Sequence, residues 1–167
     1  MNTVRGRPVA GYGAAVLTVG QPAPDFTLVD HEGQPVTLSA LRGHPVLVYF
    51  YPKASTPGCT QQACALRDAA PDLGDTVVLG ISPDKQGALA NFHTKQALNF
   101  PLLSDPDHAV AEAYGVWQEK KNYGKTYMGI VRSSFLVGAD GVLLGVWFGV
   151  KPAATPTTAL AVLRGEA

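Results

Sequence analysis

The chain has 167 residues, 46% of them hydrophobic and 16% charged, which is enough apolar content for one compact domain and too little charge for a disordered chain. Thirteen basic residues balance thirteen acidic ones with no basic stripe, which excludes a nucleic-acid binder, and no apolar run reaches the ~18 residues of a membrane span. Two cysteines five positions apart staple no long loop, so they point to chemistry and not to a secreted disulfide framework.

Arg5 and Arg7 precede a mildly apolar stretch, Val9 to Val19, that faintly resembles a secretory leader, but Gly11, Tyr12 and Gly13 interrupt it and no Ala-x-Ala site follows. The reading is a cytoplasmic protein with an N-terminal extension over residues 1–18 and one domain over 19–167. From Val19 onward strand-like and helix-like patterns alternate, the mark of an α/β fold. Phe26 to Val29 and Pro35 to Leu38 flank Asp30-His31-Glu32-Gly33 and predict a hairpin ahead of the main sheet. Val46 to Tyr51 is continuously β-rich and predicts a central strand buried on both faces.

Pro52 closes that strand, and after Pro57-Gly58 the pattern from Thr60 to Ala70 predicts a helix. Thr76 to Ile81 reads as strand, Gln86 to Leu98 as helix, Phe100 to Leu103 as a short strand, and Asp105-Pro106-Asp107 as the cap of a helix through Ala113. Met128 to Val131 and Ser134 to Val137 are extended around Arg132, Asp140-Gly141 makes a hairpin turn to Val142 to Phe148, and Ala153 to Leu163 is a final helix. Trp117 and Trp147 are placed in or near the core, with lining of a substrate approach the alternative for Trp117 after Tyr114-Gly115-Val116.

Cys59 thus stands where a strand gives way to a helix. A thiol of ordinary pKa, about 8.5, is mostly protonated at neutral pH, and only the thiolate attacks an electrophile. The first turn of a helix favours an anion through its free N–H groups and its dipole. Thr56 lies three residues ahead, where a turning loop can bring its hydroxyl to the sulfur; it could equally cap the helix with Pro57 as first helical residue. Pro52 and Pro57 restrict the loop, and Gly58 leaves room for backbone to approach a small ligand.

Cys64 adds a second constraint. Residues five apart on an ideal helix have Cα atoms about 8.6 Å apart, whereas a disulfide tolerates about 4.4–6.8 Å. A Cys59–Cys64 bond therefore requires local unwinding, which would make the pair a switch; the alternative is a helix cysteine with no partner.

Tyr49-Phe50-Tyr51-Pro52-Lys53-Ala54, Thr56-Pro57-Gly58-Cys59-Thr60, Gln62-Ala63-Cys64 and Arg67-Asp68 together resemble the active-site segment of the peroxiredoxins, and more narrowly the peroxiredoxin Q or bacterioferritin comigratory subgroup. Ala23-Pro24-Asp25-Phe26, Gly80-Ile81-Ser82-Pro83-Asp84 and Leu103-Ser104-Asp105 extend the likeness. The resemblance implies a thioredoxin-like fold, a central mixed sheet flanked by helices. It implies that Cys59 is the peroxidatic cysteine attacking hydrogen peroxide or organic hydroperoxides, that Thr56 hydrogen-bonds sulfur and peroxide, and that Pro52 shields the sulfur. Arg132 matches the family's distant arginine, with Ser134 where relatives often carry Thr. Cys64 would resolve the sulfenic acid as an intramolecular disulfide, reduced by thioredoxin or a similar dithiol, in a monomer without cofactor.

Two other readings compete. A thioredoxin-type oxidoreductase would carry Cys-x-x-Cys and would leave Thr56 and Arg132 without a task. A metal-binding or redox-sensing module would need ligand spacing that His31, His44, His93 and His108, scattered singly, do not provide.

Overall fold

Residues 16–165 are described by a computed structural model, in which strands and helices alternate as the patterning requires. Strands β1 (Thr27–Asp30) and β2 (Pro35–Thr37) form the hairpin, closed by the Asp30 carboxylate, which accepts the N–H groups of Glu32 and Gln34, each at 2.9 Å. There follow β3 (Val46–Phe50), α1 (Pro57–Asp68), the single turn α2 (Ala70–Leu73), β4 (Val77–Ser82), α3 (Gln86–Lys95), β5 (Leu102–Ser104) and α4 (Ala109–Ala113). A hairpin of β6 (Trp117–Asn122) and β7 (Lys125–Ile130) then precedes β8 (Ser133–Val137), β9 (Leu143–Phe148) and α5 (Thr155–Leu163).

Seven strands form one mixed sheet in the order β2-β1-β5-β4-β3-β8-β9. Strands β3, β4 and β5 are parallel, linked through helices as parallel neighbours must be, while β8 and β9 are antiparallel around the Asp140-Gly141 turn. The N-terminal hairpin is not a separate unit ahead of this sheet; β1 pairs antiparallel with β5 and continues it. Gly20, Gln21 and Ala23 are tied by backbone hydrogen bonds to the β9 end of the sheet, and Leu17 is already buried. Packing therefore begins just before Val19, and residues 1–15 of the expected extension lie outside the described residues.

Alternation along β3 divides the core. Val46, Val48 and Phe50 pack on one face with Phe135, Tyr114 and Val110, whereas Leu47 and Tyr49, followed by Tyr51, pack on the other with Ala63 and Leu66 of α1, Phe92 of α3 and Ala159 of α5. Trp117 packs against the first cluster and Trp147 against the second.

Several boundaries differ from the sequence reading: α3 ends at Lys95 and not Leu98, β7 begins at Lys125 and not Met128, and α5 begins at Thr155 and not Ala153. Helix α1 starts at Pro57, three residues before the predicted Thr60, because proline is preorganised for the first helical position and lacks only an N–H that would be unpaired there. Helix α4 starts at Ala109, and Asp105 caps it from upstream by accepting the N–H groups of Val110 (3.2 Å) and Ala111 (2.9 Å). Strand β6 has no counterpart in the prediction: Trp-Gln-Glu-Lys-Lys-Asn alternates too weakly to read as a strand and is held by its ladder to β7.

Gly80 of β4 lies beside Tyr49 of β3, and a Cβ there would come within 2.9 Å of the Tyr49 ring and hydroxyl. Gly80→Ala is predicted to cost about 1–3 kcal/mol through overpacking, seen as a lower urea midpoint. Gly87→Ala, where a Cβ meets nothing within 4 Å, should hold or raise it. An unchanged midpoint for Gly80→Ala would show that this row of the sheet is loosely packed.

Candidate active site

Cys59 is the third residue of α1 and is 1% exposed, its side chain turned toward the sheet among Tyr49, Tyr51 and Ala63. Pro57 has no N–H to donate, and in the first turn those of Gly58 and Cys59 have no intrahelical acceptor, so the sulfur sits at the positive end of the helix. Thr60 is the first to bond back, to the Thr56 carbonyl at 2.8 Å.

Arg132, in the link from β7 to β8, extends across from the sheet to place Nη2 3.4 Å from the Cys59 sulfur. Its Nη1 donates to Gln62 Oε1 at 2.7 Å, and Gln62 Nε2 donates to the Thr155 hydroxyl at 2.9 Å. Gln62 and Thr155 are both fully buried. The guanidinium is thus held at two corners, one on the sulfur and one on an amide fixed from α5. Gly58 has a different use from the one read in the sequence: a Cβ there would lie 3.1 Å from Arg132 Nη2 and 3.6 Å from Pro152, so the room it leaves is occupied by arginine.

The loop before the helix is anchored from β4. Asp84 accepts the N–H of Ala54 at 2.7 Å and the hydroxyl of Ser82 at 2.7 Å, and Ser55 holds a positive φ of 66°. Thr56 occupies the N-cap position without a side-chain cap bond; its hydroxyl donates to the Lys53 carbonyl at 2.8 Å, not to the sulfur, leaving its lone pairs to accept. Pro52 is half-buried at the loop's start. Lys120 of β6 is half-buried as well, and burial first, then the Arg132 charge, hold its amine below the ordinary lysine range while Cys59 acts in the opposite direction.

Cys64 is on the same unbroken helix but at another face, half-buried, its thiol 3.5 Å from Gln96 Oε1 at the end of α3. Arg67 Nη1 binds the Gln96 carbonyl at 2.5 Å. Both cysteines are free thiols. The structure therefore gathers Cys59 and Arg132, places Thr56 at the N-cap of the same helix and Pro52 at the start of the loop before it, and keeps Cys64 apart. Sequence reasoning missed Gln62 and Thr155. Gln62 carried a signal, a polar residue three positions after Cys59 on the buried helix face; Thr155 carried none.

Residues 19–146 match the model of the AhpC/TSA family. A putative peroxiredoxin bcp of Haemophilus influenzae is 56% identical, over 78% of this chain and 86% of its own length. Among solved structures, a mutant of the Xylella fastidiosa PrxQ superposes with a TM-score of 0.84 at 29% identity, covering 90% of this chain and 98% of its own. The Xanthomonas campestris bacterioferritin comigratory protein, described for its alkyl peroxide reduction activity, gives 0.79 at 38% identity, covering 84% and 90%. The architecture is the thioredoxin-like one of these neighbours.

Gln62→Leu removes the buried acceptor that fixes Arg132 while keeping the side chain's size. In a Cys64→Ser background, alkylation of Cys59 by iodoacetamide at neutral pH is expected to slow about tenfold, the scale of one lost charge-assisted hydrogen bond. An unchanged rate would mean that Arg132 holds its place without Gln62.

Proposed function

The chain belongs to the AhpC/TSA family, in its Bcp or peroxiredoxin Q branch, and on that premise we propose a two-cysteine peroxidase cycle carried by Cys59, Cys64 and Arg132. The protein is a thiol peroxidase. The observation that supports the residue assignment most strongly is the guanidinium of Arg132, 3.4 Å from a buried sulfur at a helix N-terminus.

Cys59 attacks as the thiolate. Its sulfur forms a bond to one peroxide oxygen, the O–O bond breaks, and the departing oxygen takes up a proton to leave as water or an alcohol. Sulfur has then lost two electrons and is a sulfenic acid. Arg132 offers fixed charge both to the thiolate and to the oxygen on which negative charge develops. Thr56, with its hydrogen donated to the Lys53 carbonyl, can accept a hydrogen bond from the hydroperoxide O–H and so orient the substrate. Pro52 limits access of water to the sulfur. The substrates are hydrogen peroxide and organic hydroperoxides.

Cys64 then attacks the sulfenic sulfur, forming the Cys59–Cys64 disulfide and releasing water, and an external dithiol such as thioredoxin reduces it by exchange. The bond cannot close across five residues of intact helix, so α1 must unwind for it. Because resolution stays within one chain, the protein works as a monomer, and a pair kept reduced by a dithiol suits the cytoplasm. Among the described residues no helix is long and apolar enough to cross a membrane.

With thioredoxin, thioredoxin reductase and NADPH, Cys59→Ser is expected to abolish peroxide consumption. Cys64→Ser should still form a sulfenic acid, trapped by dimedone, but turn over at least tenfold more slowly. Full turnover by Cys59→Ser would overturn the assignment of the nucleophile, and full turnover by Cys64→Ser that of the resolving thiol.

A further inference from the structure

Among the described residues, three buried side-chain oxygens have no hydrogen-bond partner: the hydroxyls of Tyr49, Tyr51 and Ser134. All three belong to one face of the sheet. Tyr49 and Ser134 are direct neighbours across the β3–β8 ladder, and Tyr51 continues the same side of β3. The opposite face buries Val46, Val48, Phe50, Phe135 and Val137, and its one buried phenol, Tyr114, donates to the Pro24 carbonyl at 2.7 Å. Unsatisfied polarity is therefore concentrated on the face that α1 covers, where Cys59, Ala63 and Leu66 pack with Tyr49 and Tyr51.

That placement sets two requirements against each other. A buried hydroxyl with no partner penalises the closed arrangement, since in a more open one it would bond water or backbone. Helix α1 has no side-chain cap at Thr56 and no acidic residue in its first turn. Its unwinding frees N–H and C=O groups between Cys59 and Cys64, on the helix that packs against Tyr49 and Tyr51, and admits water. Burial raises the Tyr49 phenol far above its usual range, and charge on Tyr51 or Cys59 adds to this, so Tyr49 remains a proton donor in search of an acceptor.

We propose that Tyr49 and Ser134 are positioning residues for the disulfide-forming step: their orphaned hydroxyls bias α1 toward the unwound arrangement in which Cys64 reaches Cys59. The proposal rests on the Cys59–Cys64 disulfide reading above. It assigns to these residues the partition of the sulfenic acid. In the wound helix a second peroxide oxidises the sulfenic acid to sulfinic acid, its O–O bond breaking to release water or an alcohol. In the unwound segment Cys64 captures the sulfenic sulfur first.

The test compares wild type with Tyr49→Phe, Ser134→Ala and the double variant, with Tyr114→Phe as a control for loss of a partnered phenol on the other face. Rapid mixing of reduced enzyme with hydrogen peroxide, followed by acid quench and mass spectrometry, separates thiol, sulfenic, disulfide and sulfinic forms. Tyr49→Phe should leave the second-order rate of Cys59 oxidation within about twofold while slowing disulfide closure on the order of tenfold. The sulfinic fraction at high peroxide should rise in parallel. Amide hydrogen exchange across residues 59–64 should slow with it, and Ser134→Ala should move each readout the same way. Tyr114→Phe should destabilise the fold without shifting the partition.

Closure as fast as wild type in both Tyr49→Phe and Ser134→Ala overturns the proposal, as does a matching loss in the first oxidation step. Wild type that forms no Cys59–Cys64 disulfide overturns the reading beneath it, and the two failures are told apart because wild type is measured first.

Discussion

The contact between Arg132 and Cys59 organises the site, and much of the surrounding sequence makes sense as what that contact needs. A guanidinium taken partly out of water is costly unless its donors are met, and here one meets the sulfur and another Gln62, itself held by Thr155. The arrangement joins three pieces of chain remote in sequence: the start of α1, the β7–β8 link and the start of α5. It also needs close approach, which is why position 58 has no side chain; any Cβ there would press on Nη2. The sheet provides the distance. The β3–β8 ladder, with Phe50 opposite Ser133, brings the residue preceding β8 level with the loop leaving β3.

Five-residue spacing imposes the opposing constraint. Everything that fixes Cys59 against Arg132 also keeps Cys64 away, because both are on one rigid helix. Cys64 is engaged at the far side through Gln96, whose carbonyl receives Arg67, and the Asn99 side chain donates to the Arg67 carbonyl at 3.1 Å. The helix is therefore tied at its C-terminal half to the end of α3, and nearer its start to Arg132 and, through Gln62, to Thr155.

How much of this could be read from the chain depended on whether the signal was local. The central strand was legible in Val46 to Tyr51 because burial on both faces leaves a continuous apolar run. Cys59 was legible from its setting, proline before and helix after. Arg132 was not: alone it is a cation at a strand end, and only likeness to a family singled it out. Thr155 was invisible because its role exists only after α5 folds back on α1. In the β6–β7 hairpin only the end of β7, from Met128, was read as extended, and the rest was missed for a different reason. Its exposed Glu119, Lys121 and Lys125 obscure the period of two, and its pairing, not its hydrophobic pattern, makes it a strand.

That hairpin is more than decoration, because it carries Lys120 toward the site. The lysine's stem lies over Gly129, where a Cβ would come 3.2 Å from Cδ, so absence of a side chain at 129 lets it settle inward. Burial disfavours its charge, Arg132 disfavours it further, and only Cys59 favours it. Two cations so placed tolerate each other best when the sulfur between their influences is negative. In the proposed cycle, conversion of the thiolate to a sulfenic acid removes that negative charge and leaves the repulsion between Lys120 and Arg132.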